Sequence, residues 1–323
     1  MGDPHDVVRW NQHAMQRRLS TASSVPSLNW CSTNNPTGRS VCAEAKSQRQ
    51  CGSCWAFAAT DVIETAVSLA TGNPPVSLSS QQLRTCSTSK AIRTFEYCFA
   101  NAGNVPKWLE PSMKWDGHNK GCDGGMTHVA LDDAAKKIVN LASASTGPHI
   151  TGWEPALTAA SCATTKDPAT LLKTALAKGP LAVAVSTEGG FQDYSLGVYT
   201  CPPIVSSDKI NHALLLVGYD TSDQGDYWIL KNSYGVGWGL HGFMHLHVDD
   251  VVNCGLNVFP VRALGASRGP ASTTTVDGAL TFGGMAMDMW IVVASLVTAA
   301  TLLLTIIGVF VSRRRMQYLR QSA

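Results

Sequence analysis

The chain has 323 residues, 45% of them hydrophobic and 15% charged, with a formal net charge of +2. That much apolar material excludes a disordered chain and supplies the core of one domain, or of two lobes, with accessories. The near-neutral charge leaves no electrostatic footprint for nucleic acid. All ten cysteines lie between Cys31 and Cys254, a density that points to an oxidising compartment.

Residues 1–26 are polar and read as an extended segment. They carry Arg9, Arg17 and Arg18 but no apolar run of signal-peptide length. Met1-Gly2 is followed at the sixth position by Asp6, which excludes myristoylation. Asn35 is followed by Pro36, so it is no glycosylation site. From Leu28-Asn29-Trp30 to about Pro260 the composition is globular.

The first strong element begins at Gln48-Arg49-Gln50-Cys51-Gly52-Ser53-Cys54. Behind it, Trp55, Ala58, Ala59, Val62, Ile63, Ala66, Val67 and Ala70 recur at helical spacing. They predict a core-facing helix over Trp55–Thr71, stopped by Gly72 and Asn73-Pro74-Pro75. Cys54 then sits at a helix N-terminus, where unpaired N–H groups and the macrodipole favour a thiolate.

Between Cys86 and Cys122 lie 35 residues rich in Gly, Asn, Pro, Lys and Trp. Residues 87–121 are expected to be an irregular surface insertion, with Trp108 and Trp115 anchoring it. Further helices are predicted over Met126–Leu141 and Ala169–Lys178, the latter ending at Gly179-Pro180. Leu181–Ser186, His212–Tyr219, Asp226–Lys231 and Gly242–Val248 read as strands. Helices first and strands second indicate an α+β protein, a helical lobe against a sheet or barrel lobe.

Residues 264–288 are rich in Ser, Thr, Gly and Ala and read as a flexible linker. Trp290–Val311 is 22 residues without a charged side chain, followed by Arg313-Arg314-Arg315. The length fits a transmembrane helix over 289–311, and the arginines place the tail 312–323 in the cytoplasm.

A thiol nucleophile needs a base and an orienter for that base. His212, in Asn211-His212-Ala213, starts an apolar strand that would hold its ring still. Asn232, in Lys231-Asn232-Ser233, can accept a ring N–H and fix the imidazole without adding charge. Gln48 can aim its amide at an oxyanion beside the Cys54 backbone N–H. The competing reading of Cys51-x-x-Cys54 is a redox pair, or half a zinc site completed by His241 and His245. Their separation along the chain speaks against zinc, and no metal or other cofactor is expected. His118 and His128 read as ordinary surface or core histidines.

Gln48-x-x-Cys51-Gly52-Ser53-Cys54-Trp55 is similar to the active-site segment of papain-like cysteine proteases. The resemblance runs over roughly residues 28–263. It also rests on Gly121-Cys122-Asp123-Gly124-Gly125, Gly179-Pro180, Asn211-His212-Ala213, Lys231-Asn232-Ser233 with Gly237-Trp238-Gly239, and Cys254-Gly255-Leu256.

The resemblance implies a two-lobe fold over 27–263, a helical lobe against an antiparallel β-barrel-like lobe. Cys54 becomes the nucleophile, His212 the acid and base, Asn232 the orienter, Gln48 the oxyanion donor, and Trp238 the shield of the Asn–His contact. Gly124 and Gly125 would pair with an extended substrate. Met126, Thr127, Ile210 and Ala213 would line the pocket for the second residue before the scissile bond, which implies an apolar preference there. The implied disulfides are Cys51–Cys122, Cys86–Cys162 and Cys201–Cys254. Cys31–Cys42 closes a short loop, and Cys98 stays odd. Departures from the family are Tyr234 in place of Trp, Arg49 in place of a small residue, a short tail after Cys254 that leaves the pocket floor unnamed, and the long 87–121 interval. No adjacent His pair follows Gly125, so an endopeptidase rather than an exopeptidase is expected.

The expected protein is therefore a membrane-tethered, monomeric cysteine endopeptidase acting on peptides or proteins. Its catalytic domain would be lumenal, as in a lysosome, vacuole or endosome, or extracellular. A catalytically silent binding protein on the same fold and a thiol transpeptidase are the alternatives. The family also carries a longer pro-region, so residues 1–26 read as its remnant and the natural N-terminus is expected to extend further.

Overall fold

The computed structural model describes residues 27–96, 112–136, 147–158, 161 and 167–268, all within the first of two compact units, Met1–Ala271 and Ser272–Ala323. Helix α1 spans Cys54–Thr71 and ends as its sequence requires: Gly72 adopts the left-handed conformation at φ 70° and returns its N–H to the Ser68 carbonyl. Helix α2 is the short Ser80–Cys86, and α3 spans Thr127–Ala135. Helix α4 spans Pro168–Leu176; its N-cap is Asp167, whose carboxylate accepts from the Thr170 N–H, with Pro168 at the first helical position. The helix expected over Met126–Leu141 is present as far as Ala135, and 137–146 lie outside the described residues.

The strands in chain order are β1 Leu28–Asn29, β2 Lys90–Glu96, β3 Ser112–His118, β4 Pro148–His149, β5 Gly152–Pro155, β6 Leu181–Ser186, β7 Val198–Tyr199, β8 Ile210–Ser222, β9 Gly225–Lys231, β10 Phe243–His247, β11 Val261–Leu264 and β12 Ser267–Arg268. One sheet of eight strands runs β5-β11-β6-β8-β9-β10-β7, with β1 added on β8. Its pairings are antiparallel except β10 with β7. The four strands read from sequence form its centre, and β6 and β9 are buried along most of their length. Strand β12 pairs with β4 inside the stretch read as linker.

Helix α1 lies against β8. Its residues Trp55, Ala59, Ile63 and Val67 share one apolar cluster with Leu215, Val217 and Val261 of the sheet. A second cluster behind the sheet joins Leu172 and Leu176 of α4 to Leu181, Trp228 and Leu230. The α+β expectation therefore holds, and the two lobes meet along α1.

The 87–121 insertion is a correction. It was expected to be irregular, but β2 and β3 pair antiparallel from Lys90↔His118 to Glu96↔Ser112. The alternation in Ser112-Met113-Lys114-Trp115-Asp116 has the period of a strand. It was masked by the Gly, Asn and Pro around it. Helix α2 had no reading from sequence because it is too short to show a helical period. Trp108, Cys98 and Cys162 lie outside the described residues. The transmembrane expectation over 289–311 does too; among the described residues no helix is long and apolar enough to cross a membrane.

Three disulfides are formed among the described residues: Cys31–Cys42, Cys51–Cys122 and Cys201–Cys254. Cys86, expected to bridge Cys162, is a free and exposed cysteine here. The α4 cap supplies a test of the local reading. Asp167→Ala should lower stability by about 1 kcal/mol in urea unfolding, because the Thr170 N–H loses its acceptor at 2.9 Å. Hydrolytic or labelling rates per folded molecule should not change.

Candidate active site

Cys54 opens α1, and no side chain caps the helix there: the N-cap residue Ser53 makes no capping hydrogen bond. The Ala56 N–H donates to the Ser53 carbonyl at 2.9 Å, while the Cys54 and Trp55 N–H groups face the sulfur. The loop ahead of Cys54 is clamped to the loop at 121–125. Cys51 is bonded to Cys122, and the Gly52 N–H donates to the Cys122 carbonyl at 2.9 Å. A Cβ on Gly52 would stand 2.5 Å from that carbonyl oxygen, so only glycine closes the clamp. Gly125 is similarly enclosed, with Asn119 Oδ1 and the Trp55 ring within 2.5–2.8 Å of a Cβ.

His212 lies on β8 beside a register shift. Val185 pairs with His212 and Ser186 with Ile210, so Asn211 is the extra residue of a bulge. Bulges of this kind re-aim the neighbouring side chain. The imidazole is buried, and its Nε2–H donates to Asn232 Oδ1 at 2.8 Å. The Ser233 backbone N–H donates to the same oxygen at 2.7 Å, which fixes the amide's orientation. With Nε2 donating, Nδ1 is the ring atom that can act as a base.

Gln48 is held at both ends of its amide. Nε2 donates to the Cys51 carbonyl at 2.9 Å, and Oε1 accepts from the Ser233 hydroxyl at 2.6 Å. The second Nε2–H remains for a substrate oxygen. Cys54, His212 and Gln48 line one cleft of about 410 Å³, together with Gly124, Gly125, Met126, Thr127, Ile210 and Ala213.

Burial pushes the Cys54 thiol up, against the backbone groups of Ala213, Trp55 and Cys54 itself. Burial also pushes the His212 imidazole down to about 4, with the Asn232 hydrogen bond opposing. The site therefore disfavours a lone charge on either group. A proton passed from sulfur to imidazole creates two opposite charges in one cleft, each offsetting the other.

The sequence profile of papain family cysteine proteases matches residues 28–264. The chain belongs to the papain family of cysteine proteases. Cathepsin S of Bos taurus is 32% identical over 224 residues, covering 67% of this chain and 60% of that protein. Digestive cysteine proteinase 1 of Homarus americanus is 33% identical over 213 residues, covering 65% and 60%. The chain thus spans about 60% of the length of these relatives. Digestive procathepsin L 3 of Tenebrio molitor superposes with a TM-score of 0.52 at 25% identity, over 76% of this chain and 71% of that one. Bromelain of Ananas comosus, solved with the E64 inhibitor, gives 0.53 at 23% identity over 74% and 98%, a likeness of fold alone.

Within this papain-family site, the shield over the imidazole is Tyr234. Its ring lies 4.9 Å from that of His212, and it lines the cleft. Trp238, expected in that role, packs 5.3 Å behind Tyr234, stacks on Phe191 at 5.7 Å and donates Nε1–H to the Gln192 carbonyl. Burial, and then the Cys54 charge, push the Tyr234 hydroxyl up to about 12, so it stays protonated.

Sequence reasoning did not place His128 and Phe259 in the cleft; both line it, meeting edge to face at 5.3 Å. His128, read as a surface or core histidine, is buried, and it lies in the first turn of α3 next to the expected wall residue Thr127. That adjacency was the available signal. Among the described residues no three His, Cys, Asp or Glu side chains converge as a metal would require.

For His212 acting as a general base the neutral ring is the competent form, so kcat/KM should be flat above, and fall tenfold per pH unit below, about pH 4. A profile of kcat/KM between pH 3 and 7 checks it.

Proposed function

We propose that this chain is a cysteine endopeptidase that hydrolyses peptide bonds through an acyl-thioester on Cys54. The observation that carries the reading is the 2.8 Å bond from His212 to Asn232 in the same cleft as a thiol at a helix N-terminus. His212 Nδ1 takes the Cys54 proton as the sulfur attacks the substrate carbonyl, forming the C–S bond. The resulting oxyanion faces the Cys54 backbone N–H and the second Gln48 amide hydrogen. Collapse breaks the C–N bond, and His212 returns its proton to the leaving amine. Water, deprotonated by His212, then cleaves the thioester and releases the acid and the thiol.

An extended substrate pairs with the Gly124-Gly125 backbone as an added strand. Met126, Ile210, Ala213 and the Phe259 end of the cleft favour an apolar side chain at the second residue before the scissile bond. Three disulfides support a lumenal or extracellular catalytic domain. The uncharged run Trp290–Val311 followed by three arginines supports a tether to the membrane with a cytoplasmic tail.

Two variants test the reading. Cys54→Ala should abolish both peptide hydrolysis and labelling by a thiol-directed epoxide, a loss of at least about a thousandfold. Asn232→Ala should keep the label but slow hydrolysis by about a hundredfold, because the imidazole loses its orienter. Hydrolysis that survives Cys54→Ala, or a folded parent that never labels, would defeat the assignment.

A further inference from the structure

Asp61 lies about two turns along α1 from Cys54, on the same helix face. It is almost fully buried, at 4% exposure. Its two carboxylate oxygens take different partners: Oδ1 accepts from Lys46 Nζ at 2.9 Å, and Oδ2 from Lys231 Nζ at 3.0 Å. Burial alone would push this carboxyl up. The two ammonium groups, Lys231 foremost, more than offset that and hold it below the usual carboxylate range. Lys46 is shared with Glu64, one turn further along the same helix. Glu64 in turn accepts the Leu78 N–H at 2.5 Å.

The two lysines are next to the catalytic machinery. Lys231 ends β9, and Asn232 follows it directly. Lys46 precedes Gln48 by two residues, and the segment between them pairs with the chain after Asn232. The Gly235 N–H donates to the Lys46 carbonyl at 2.9 Å and the Gln48 N–H to the Ser233 carbonyl at 2.8 Å. One carboxylate on the Cys54 helix therefore grips the bases of the two segments that deliver Gln48 and Asn232. Apolar packing could fill the same volume at similar stability. What a two-ended charged fork adds is direction, since each ammonium is drawn to one oxygen.

We propose that Asp61 is a positioning residue for the reaction at Cys54: its carboxylate, bridging Lys46 and Lys231, sets Gln48 and Asn232 in place against the nucleophile's helix. The inference rests on the peptidase reading for its kinetic consequence, and on geometry alone for its effect on His212. A displaced Asn232 loosens its bond to the imidazole. Small misplacements at such a site cost up to about a hundredfold in rate.

The test uses the full chain and three variants, with activity expressed per titrated Cys54. Asp61→Asn keeps the shape and removes the charge. Peptide kcat should fall about ten- to a hundredfold with KM within about twofold. The His212 titration, read by NMR, should move to lower pH because the Asn232 bond that raises it is weakened. Asp61→Glu, which restores the charge, should recover part of kcat.

A residue that merely holds the fold would lower the melting temperature and the titratable fraction but leave kcat per site and the His212 titration unchanged; that result overturns the proposal. Should Asp61→Asn not fold, Asp61→Leu with Lys231→Met removes both charges, a change buried pairs tolerate. The proposal then requires this folded variant to show the same kinetic loss and titration shift, and parental values in both overturn it. A parent that labels at Cys54 yet hydrolyses no peptide counts against the peptidase reading. In that case the NMR titration alone decides the role of Asp61.

Discussion

Helix α1 is enclosed on most of its circumference, and that enclosure governs the rest of the molecule. Trp55, Ala56, Ala59, Val62 and Ile63 are essentially without solvent contact. So are Thr60, Asp61, Glu64, Thr65 and Ser68, which a surface helix would turn to water. A buried helix needs partners for the polar groups it carries, and most of these have one, Glu64 Oε2 being an exception. Thr60 and Thr65 bond back to their own helix, at the Phe57 and Val62 carbonyls. Ser68 and its carbonyl take the Arg39 guanidinium at the helix C-terminus, where a cation also meets the macrodipole favourably. The two carboxylates take lysines from neighbouring segments. Satisfying the helix thus ties together segments distant in sequence, and the thiol at its start inherits a fixed setting.

The same enclosure explains the electrostatic balance of the site. A thiol at an exposed helix N-terminus would be drawn toward thiolate by the dipole alone. Here burial outweighs that pull, and the thiol is pushed up. The imidazole is pushed the other way by the same cause. Each shift disfavours a lone charge on its own group, whereas a thiolate and an imidazolium formed together would offset one another. Asn232 is suited to this as a carboxylate would not be. It orients the ring through Oδ1 and contributes no negative charge that would hold the proton on histidine.

The features legible in the sequence were those fixed by local pattern or by a rare residue type. The α1 period, the Gly72 stop and the Gly179-Pro180 break are written in consecutive residues, and the helix ends fall within two residues of expectation. Cys54, His212, Asn232 and Gln48 were legible because few side chains can do their chemistry, and the structure brings three of them to one cleft with Asn232 behind His212. What could not be read depends on tertiary approach. Nothing local tells that Asp61 meets Lys231, or that His128 packs against Phe259 in the lining of the cleft. The order of the two aromatics after Asn232 is of the same kind: the Tyr234 ring lies 4.9 Å from that of His212, and Trp238 lies 5.3 Å from Tyr234. The β2–β3 hairpin failed for another reason, its alternation being diluted by turn-forming residues on either side.

Residue size completes the argument about the cleft. Ala182 and Ala184 on β6 and Ala213 on β8 face the space between the lobes, and Ala184 pairs directly with Ala213. Larger side chains at these positions would fill the cavity that reaches to Phe259 and Val261. The sheet is otherwise packed with Leu, Val and Trp, so the alanines mark where packing is withheld rather than where it is weak. An unfilled apolar cavity forfeits dispersion contacts and burial that a larger side chain would supply. An apolar group entering such a cavity would recover that loss. The small residues of β6 and β8 thus leave the space that the loop residues Gln48, Gly124 and Gly125 and the helix residue Cys54 line from the other side. The strand that carries His212 therefore also shapes one wall of the cleft.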